Sequence, residues 1–403
     1  MGKLERLALA RMRRDHARGG ATARGYFFDA EAGDRIVQFF EEYLHHHVGE
    51  WAGQPLLLET WQKTMLREIF GWMRPGDPDA DGKPTPAVRR FREAYIEIPR
   101  KNGKSEVGAG VGLFATVADG EHGAQVYSSA TKKEQARIVW GTAAKMIEAS
   151  PELARFLSVL RSNISCAELG SKFEPLAADF KTQDGLNTHA NIIDEVHAHV
   201  DRRLIDVLQT SMGARRQPLT FYITTAGEYN PESIGWLLHE RAVKVLEGAI
   251  TDDSLFALIF AADEEDDYTD PVTWAKANPN LGVSVKESYL RTECEKAKQQ
   301  PSYLNTFLRY HLDRWTQQRT RWLTLEQWNA CDQDRTSIEY EGWVSSMGGA
   351  LAFGGLDMST KIDITAFILA VPQEDDLALI ARFWCPEERI LQRSKKDRVP
   401  YDA

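Results

Sequence analysis

The chain has 403 residues, with 49 lysines and arginines against 59 aspartates and glutamates, which gives a net charge of −10. With 43% apolar and 27% charged residues, its composition is that of a globular protein and excludes a largely disordered or collagen-like chain. No apolar run approaches the ~18 residues of a spanning helix, and the N-terminus lacks an apolar signal core, so neither a membrane protein nor a secreted one is predicted. Four scattered cysteines without a C-x-x-C pair favour reduced thiols over disulfides or a zinc site.

At ~150 residues per domain, the length corresponds to two or three domains. Residues 1–50 are predicted to form a basic, helical N-terminal arm, because lysines and arginines outnumber acids in its first half. Two interpretations of this arm stay open at this point: contact with phosphate or an acidic partner, and a solvated arm. Proline-rich residues 74–87 are predicted to be an exposed loop before the first strand of the next domain.

Residues 51–254 alternate short apolar runs with long helical patterns, which predicts an α/β fold with a mainly parallel sheet flanked by helices. The predicted strands are 94–98, 124–128, 191–193, 220–224 and 255–260. The predicted helices are 104–118, 132–148, 203–212 and 231–247.

The segment I-P-R-K-N-G-K-S, residues 98–105, lies between a predicted strand and a predicted helix. A phosphate-binding loop needs a sharp turn, a lysine for the β and γ phosphates and a hydroxyl for Mg²⁺, and Gly103, Lys104 and Ser105 match these needs. The helix that follows points its positive dipole end at the same place. The first glycine of the usual pattern is replaced by Ile98. The segment predicts a P-loop NTPase core that binds ATP and Mg²⁺.

Three further residues of this loop join the candidate nucleotide site. Arg100 and Lys101 add positive charge beside the phosphates, and Arg100 is a candidate to stabilise the transition state. Asn102 precedes the glycine and belongs to the same loop.

Two carboxylates follow the predicted strand in A-N-I-I-D-E, residues 190–195. Nucleotide hydrolysis needs one acid to hold magnesium and a second to polarise the attacking water. Asp194 suits the first role and Glu195 the second; the alternative is an Asp-Glu pair that caps the next helix. The next strand ends in T-T-A, residues 224–226, where a hydroxyl could sense the γ-phosphate, although this could equally be a plain strand end.

Taken together, these motifs resemble those of the large terminase subunit of tailed bacteriophages, the motor that packages viral DNA. The variant loop P-R-K-N-G-K-S is similar to that family's departure from the usual glycine pattern. The resemblance runs in order from about residue 50 to residue 385. Its other segments are E-T-W-Q at 59–62, F-G-W at 70–72, S-S-A-T-K-K-E-Q-A at 128–136, D-G-L-N at 184–187 and D-P-V-T-W-A-K-A-N-P-N-L-G at 270–282.

The resemblance implies residue roles that spacing alone does not give. Gln62, with Trp61, is similar to the element that reads adenine, and Thr224, Thr225 and Ala226 resemble the motif that couples hydrolysis to movement on DNA. Arg137 is a candidate finger that reaches a neighbouring subunit, with an ordinary helix-surface arginine as the alternative. Residues 51–254 would form the ATPase core, and residues 255–345 its last strand, a helical lid and a linker.

The resemblance also implies a C-terminal nuclease with an RNase H-like α/β fold and two metal ions. Residues 346–403 contain three apolar runs joined by short connections, which predict the first strands of such a domain. G-G-L-D-M-S at 354–359 resembles the first strand of that domain and makes Asp357 a candidate metal ligand, with a solvent-facing strand end as the alternative. The other acids of that pattern would lie beyond residue 403, and Asp357 and Asp363 alone do not make a two-metal site. The sequence therefore predicts an incomplete nuclease domain whose cleavage activity is in doubt.

The function that the resemblance implies is an ATP-driven translocase that moves double-stranded DNA into the procapsid. It would work as a homo-oligomeric ring at the portal with a small terminase subunit, in the host cytoplasm, without a membrane. D-E-V-H at 194–197 keeps a DExH-like helicase as one alternative, and an inactive, truncated terminase remnant is another.

Overall fold

The computed structural model divides the chain into two units, Met1–Trp322 and Leu323–Ala403. The residues that the structure describes are 1–17, 25–130, 133–177, 185–199, 202–316, 337–358, 365–374 and 376–384.

Helices and strands of the first unit alternate along much of its length. The helices are α1 (Lys3–Ala17), α2 (Ala30–Tyr43), α3 (Thr60–Gly71), α4 (Lys104–Val117), α5 (Lys133–Glu148), α6 (Arg203–Thr210), α7 (Ile234–Glu247), α8 (Pro271–Ala277), α9 (Glu287–Gln299) and α10 (Pro301–Leu312). The strands are β1 (Phe27–Phe28), β2 (Trp72–Arg74), β3 (Val88–Arg89), β4 (Glu93–Glu97), β5 (Gln125–Ala130), β6 (Ser158–Val159), β7 (Ile164–Cys166), β8 (Ser171–Ala177), β9 (Thr188–Asp194), β10 (Leu219–Thr224) and β11 (Leu255–Ile259).

Eight of these strands form one sheet in the order β11-β4-β10-β9-β5-β8-β7-β6. The first six are parallel, and β7 and β6 continue the sheet with antiparallel pairing. The predicted α/β class with a mainly parallel sheet is confirmed. The strands β6 to β8 were not predicted, because they are short or carry polar residues and have no helix between them.

The central strands are buried along almost their whole length, as expected for a parallel sheet covered on both faces. Helix α4 is buried on nearly every side and contacts β9, β5 and β8, with α5 beside it. Because α4 starts directly at the phosphate-binding loop, the densest part of the core fixes the position of that loop.

The helix predicted for the N-terminal segment is present but is not a solvated arm, and contact with phosphate or an acidic partner stays a prediction. Helix α1 packs against β11 and α7, with Ala8 and Met12 buried. Arg11 Nη2 donates to the carbonyl of Asp252 at 2.8 Å, and Lys3 Nζ lies 2.8 Å from Glu247 Oε1. Part of the basic charge in α1 is thus used within the protein. No helix of the described residues has the length and apolarity to cross a bilayer.

Residues after β11 build a smaller helical layer of α8, α9 and α10 with its own apolar cluster. Trp274, Leu290 and Phe307 are fully buried in this cluster. The buried His311 near the end of α10 lies in ring contact with Phe307 and Tyr289. This layer is the one predicted as the lid.

His311 makes the stability of this layer sensitive to acid. Burial lowers the pKa of His311 to about 4, so the folded protein keeps a neutral imidazole where the unfolded chain takes up a proton near pH 6.5. The stabilisation is complete above pH 6.5 and is lost as the pH falls towards 4. Between pH 7.5 and 4.5 the unfolding free energy of the wild type should therefore fall by about 2 kcal/mol more than that of His311→Phe. Denaturant titrations of both proteins measure this; equal losses would contradict it.

The second unit contains α11 (Ser337–Ser346) and three strands, β12 (Phe353–Asp357), β13 (Thr365–Pro372) and β14 (Leu377–Trp384). The strands form an antiparallel sheet in the order β12-β13-β14. These are the three consecutive strands that the apolar runs predicted.

Candidate active site

Three strand ends converge because β10 lies between β4 and β9 and pairs with both. Just beyond the ladder, the amide of Ile98 donates to Thr224 O at 3.0 Å, and the amide of Glu195 donates to Ile223 O at 3.0 Å. The carboxyl ends of parallel strands are the usual place for ligands in open α/β sheets. The phosphate-binding loop, the acidic pair and the T-T-A segment, which are far apart in sequence, therefore meet at one edge.

The phosphate-binding loop turns into α4 at Gly103, whose φ of +79° is in the left-handed region that glycine adopts without strain. Lys104 is buried, and its Nζ donates to Ile98 O at 3.1 Å and Pro99 O at 3.4 Å. Burial lowers the pKa of Lys104, which means that the ammonium is poorly solvated in this position. A phosphate oxygen would replace two neutral carbonyls by a charged partner.

The acidic pair lies directly opposite the lysine. Glu195 Oε1 is 4.0 Å from Lys104 Nζ, and the Glu195 backbone is left-handed with φ 53°. Such a conformation is uncommon outside glycine and is often found at functional sites. Burial, followed by the charge of Glu195, raises the pKa of Asp194 to about 7. Asp194 Oδ1 is buried without a hydrogen-bond partner among the described residues, which suits a ligand for a cation.

The T-T-A segment contacts the acidic pair directly. The Thr225 hydroxyl donates to Glu195 Oε2 at 3.3 Å. His197 Nδ1 lies 3.1 Å from the same oxygen and 2.9 Å from Thr224 Oγ1. Burial lowers the pKa of His197, so the neutral ring is favoured beside this carboxylate. The motif D-E-V-H contains His197, but the sequence does not predict a role for this residue in the site.

Asn102 holds the loop rather than facing the space above it. Its side chain is fully buried, and its Nδ2 donates to Pro99 O at 3.2 Å and to Asn278 Oδ1 at 2.9 Å. The amide of Asn280 donates to Asn102 Oδ1 at 3.1 Å. The segment after α8 therefore fixes the path of the phosphate-binding loop. The sequence contains this signal in A-N-P-N-L-G, but spacing alone does not show that its asparagines meet residue 102.

A cavity of about 1030 Å³ opens above the loop. Gln62 lies on its wall, where its Oε1 accepts from the Glu59 amide at 2.9 Å, and its Nε2 would be 3.2 Å from a Cβ at position 103. Trp61 points elsewhere and donates to Asn280 Oδ1 at 2.6 Å. The cavity is lined by residues 46–51, 54–57, 59, 62, 100–101, 103–107, 195, 280 and 283–284.

The exposed charges of the site differ in their surroundings. Arg100 and Lys101 line the cavity, and the Arg100 guanidinium carbon lies 3.6 Å from the centre of the Tyr310 ring. Arg137 is exposed on α5 and does not line the cavity. In the second unit, Asp357 ends β12 and is exposed, whereas Asp363 lies outside the described residues. Among the described residues no group of three metal-binding side chains occurs.

Comparison with known proteins gives the family of this site. Residues 60–237 match the model of the terminase large subunit ATPase domain, and residues 249–402 match that of the terminase large subunit endonuclease domain. The chain belongs to the terminase large subunit family. The endonuclease match begins before β11, which is part of the sheet in the first unit, so the sequence match and the structural division place the boundary differently.

The chain is also similar to individual proteins. The chain is 28% identical to the terminase large subunit of Enterobacteria phage HK97, over 92% of this chain and 69% of that protein. It is 34% identical to Protein YmfN of Escherichia coli K12, over 53% of this chain and 47% of that protein. The crystal structure of the HK97 large terminase superposes with a TM-score of 0.59 at 26% identity, over 92% of this chain and 71% of that one.

This terminase thus has the ATPase and the endonuclease domain of its family, and with them the general use of a nucleotide and a divalent metal ion. The predicted ATPase and the family resemblance are confirmed. The family match does not support the helicase alternative drawn from D-E-V-H.

Proposed function

We propose that this terminase is a motor that hydrolyses ATP to move double-stranded DNA into a procapsid. The observation that carries the proposal is the meeting of Lys104 and Glu195, 4.0 Å apart, on the wall of a cavity large enough for a nucleotide. The proposed domain limits are 51–254 for the ATPase core, 255–345 for its last strand, lid and linker, and 346–403 for the nuclease part.

The chemistry of the site fits Mg²⁺ and a triphosphate. Ser105 offers a hydroxyl on the cavity wall, and the buried Asp194 oxygen without a partner offers a carboxylate ligand. Mg²⁺ bound there would neutralise charge on the phosphates. The free amides at the start of α4 and the Lys104 ammonium supply further positive charge, and Arg100 stands at the rim.

Glu195 is our candidate for the residue that orients and deprotonates the attacking water. Its carboxylate lines the cavity, and Thr225 and His197 hold one of its oxygens while the other faces Lys104. A carboxylate held in this way can accept a proton at a fixed distance from the phosphate-binding loop. The hydrogen bond from Thr225 supports a coupling role for residues 224–226, because a movement of the Glu195 carboxylate would shift Thr225 at the end of β10.

The proposed partners follow from the family. They are double-stranded DNA, a small terminase subunit and the portal of the procapsid, with the terminase working as a homo-oligomeric ring in the host cytoplasm. Arg137 is exposed on α5 and is our candidate for the arginine that reaches a neighbouring subunit.

ATP turnover, measured with and without DNA, tests the proposal. We expect hydrolysis that depends on Mg²⁺ and increases with double-stranded DNA, and packaging of DNA into purified procapsids when the small subunit is present. A chain that binds no ATP and hydrolyses none with DNA and procapsids present would instead be an inactive remnant.

Gln62 is proposed to read the adenine base with its Nε2. In Gln62→Glu the capping contact to the Glu59 amide can persist, but the donor facing the cavity is lost. Repulsion between the new carboxylate and the phosphates weakens the binding of ATP and of GTP equally. The ratio of the two affinities therefore reports on the base contact alone. We expect the preference for ATP over GTP to fall about tenfold, which corresponds to one hydrogen bond. Competition binding measures this ratio, and an unchanged preference would remove Gln62 from the base contact.

A further inference from the structure

The chain leaves α10 through a short segment, residues 313–316, which we call the strap. Asp313 caps α10 in a left-handed conformation with φ 56° and is only 1% exposed. Its Oδ1 accepts from the Ala226 amide at 2.7 Å, and at the other end of the strap the Tyr229 amide donates to Thr316 O at 2.8 Å. Both ends of the strap are therefore bonded to the loop that follows β10.

This loop is also the one that holds the proposed catalytic acid. Ala226 directly follows Thr225, whose hydroxyl donates to Glu195 Oε2. In the part of the chain that the structure describes, the Glu195 carboxylate also contacts His197 on the same oxygen and lies 4.0 Å from Lys104 through the other. A shift of the backbone at residue 226 moves the Thr225 donor, and with it the carboxylate.

Trp315 gives the strap a second route to Glu195. Its Nε1 donates at 3.2 Å to Glu97 Oε1, a buried carboxylate at the end of β4, directly before the phosphate-binding loop. Its ring edge lies so close to Gly227 that a Cβ there would be 3.0 Å from Trp315 Cζ3 and 2.9 Å from His197 Cβ. His197 in turn contacts Glu195. Trp315, Gly227 and His197 therefore form a packed column that ends at the carboxylate.

The charges around Asp313 determine the protonation state in which its side chain binds Ala226. Glu97, Lys104 and Glu195 are the charged groups that act on it, and Oδ2 has no hydrogen-bond partner among the described residues. Burial, followed by the charge of Glu97, raises the pKa of Asp313 well above its usual value. The contact to Ala226 therefore depends on a neutral acceptor at Oδ1, which asparagine also provides, and asparagine tolerates the left-handed conformation.

We propose that Asp313 and Trp315 are positioning residues for Glu195, so that the strap, which follows α10, sets the rate of ATP hydrolysis. This inference rests on the proposed ATPase site. It assigns a role in the site to two residues for which the sequence predicted none there, and it gives a physical route by which tension on the chain after Thr316 would alter catalysis. Ala226, through its hydrogen bond to Asp313, and Gly227, through its contact with Trp315, would transmit this movement to Glu195.

Steady-state ATP hydrolysis by the full chain, with kcat and KM determined separately, tests the proposal. We expect Asp313→Ala and Gly227→Ala to lower kcat about 10- to 100-fold, the size of effect that a small misplacement of a reacting group produces. KM for ATP should stay within about threefold, because the phosphate-binding loop and cavity are unchanged. Asp313→Asn should restore at least half of the wild-type kcat, since it keeps the acceptor for Ala226.

The outcomes separate the inference from the proposed function. If the wild type hydrolyses ATP and both alanine variants keep its kcat, the strap has no positioning role, although the ATPase assignment stands. If the variants instead bind fewer moles of nucleotide per mole of protein at an unchanged kcat per bound site, their defect is in folding, which also overturns the inference. If the wild type itself shows no turnover that Lys104 controls, the proposed function fails and the inference fails with it.

Discussion

Replacing Lys104 by alanine is expected to lower kcat for ATP hydrolysis by at least about 100-fold, the range seen when a preorganised charge is removed from a catalytic site. The Lys104 ammonium is buried, lies 4.0 Å from Glu195 Oε1 and donates to two carbonyls of its own loop. It is therefore held at the phosphate-binding loop, where a phosphate oxygen would replace these two carbonyls. Affinity for ATP should fall as well, because the lost charge interacts with bound phosphate before and during reaction.

The fold should survive this substitution. The lysine side chain contributes no apolar packing beyond its stem, and alanine is a good helix former at the start of α4. Lys145→Ala provides the matched control, since it removes an exposed lysine from the neighbouring helix α5. Turnover and equilibrium nucleotide binding should be measured for both variants together with thermal unfolding. Wild-type turnover in a folded Lys104→Ala protein would show that the nucleotide is bound elsewhere.

Much of the fold was predictable because the central strands are short and apolar and each is followed by an amphipathic or buried helix. The loop at 98–105 and the acids at 194 and 195 were likewise predictable, since each motif consists of residues that are adjacent in the sequence. The order of the strands was not, because nothing in the local pattern shows that β10 lies between β4 and β9. That order decides which side chains meet.

Apart from His197, which lies two positions after Glu195, the residues that the sequence missed act over long separations. Asn278 and Asn280 support Asn102 from about 176 positions away, and Glu97 and Trp315 are separated by 218 positions. Each of these side chains has an ordinary alternative, such as a capping asparagine or a packed tryptophan, that fits its local pattern equally well. Their roles depend on how the layer after β11 folds back over the loop, which periodicity and propensity do not encode.

The basic helix α1 is a related case. A run of arginines predicts a solvated or phosphate-binding arm, yet Ala8 and Met12, four positions apart on the same helix, are buried where α1 packs against β11 and α7. Apolar contacts of this kind outweigh the charge pattern, because burial of two side chains contributes more than screened surface charges do. Composition alone therefore misjudged the environment of this helix.

Substitution of Glu195 by glutamine separates nucleotide binding from hydrolysis. Glutamine has nearly the same size and can still accept from the Thr225 hydroxyl, so the left-handed backbone and its surroundings should persist. It cannot take a proton from water. We expect kcat to fall about 100- to 1000-fold, as for the loss of a general base, while the dissociation constant for ATP changes less than about threefold.

The contrast with Lys104→Ala makes this result diagnostic, because loss of the lysine should weaken binding and turnover together, whereas loss of the carboxylate should affect turnover alone. Glu148→Gln, at the exposed end of α5, is the matched control for a neutralised glutamate. Single-turnover hydrolysis with excess protein measures the chemical step directly, so slow product release cannot mask it. If Glu195→Gln cleaved ATP at the wild-type rate in this assay, the water would have to be activated by another group. His197, 3.1 Å from Glu195 Oε2, would then be the first residue to substitute.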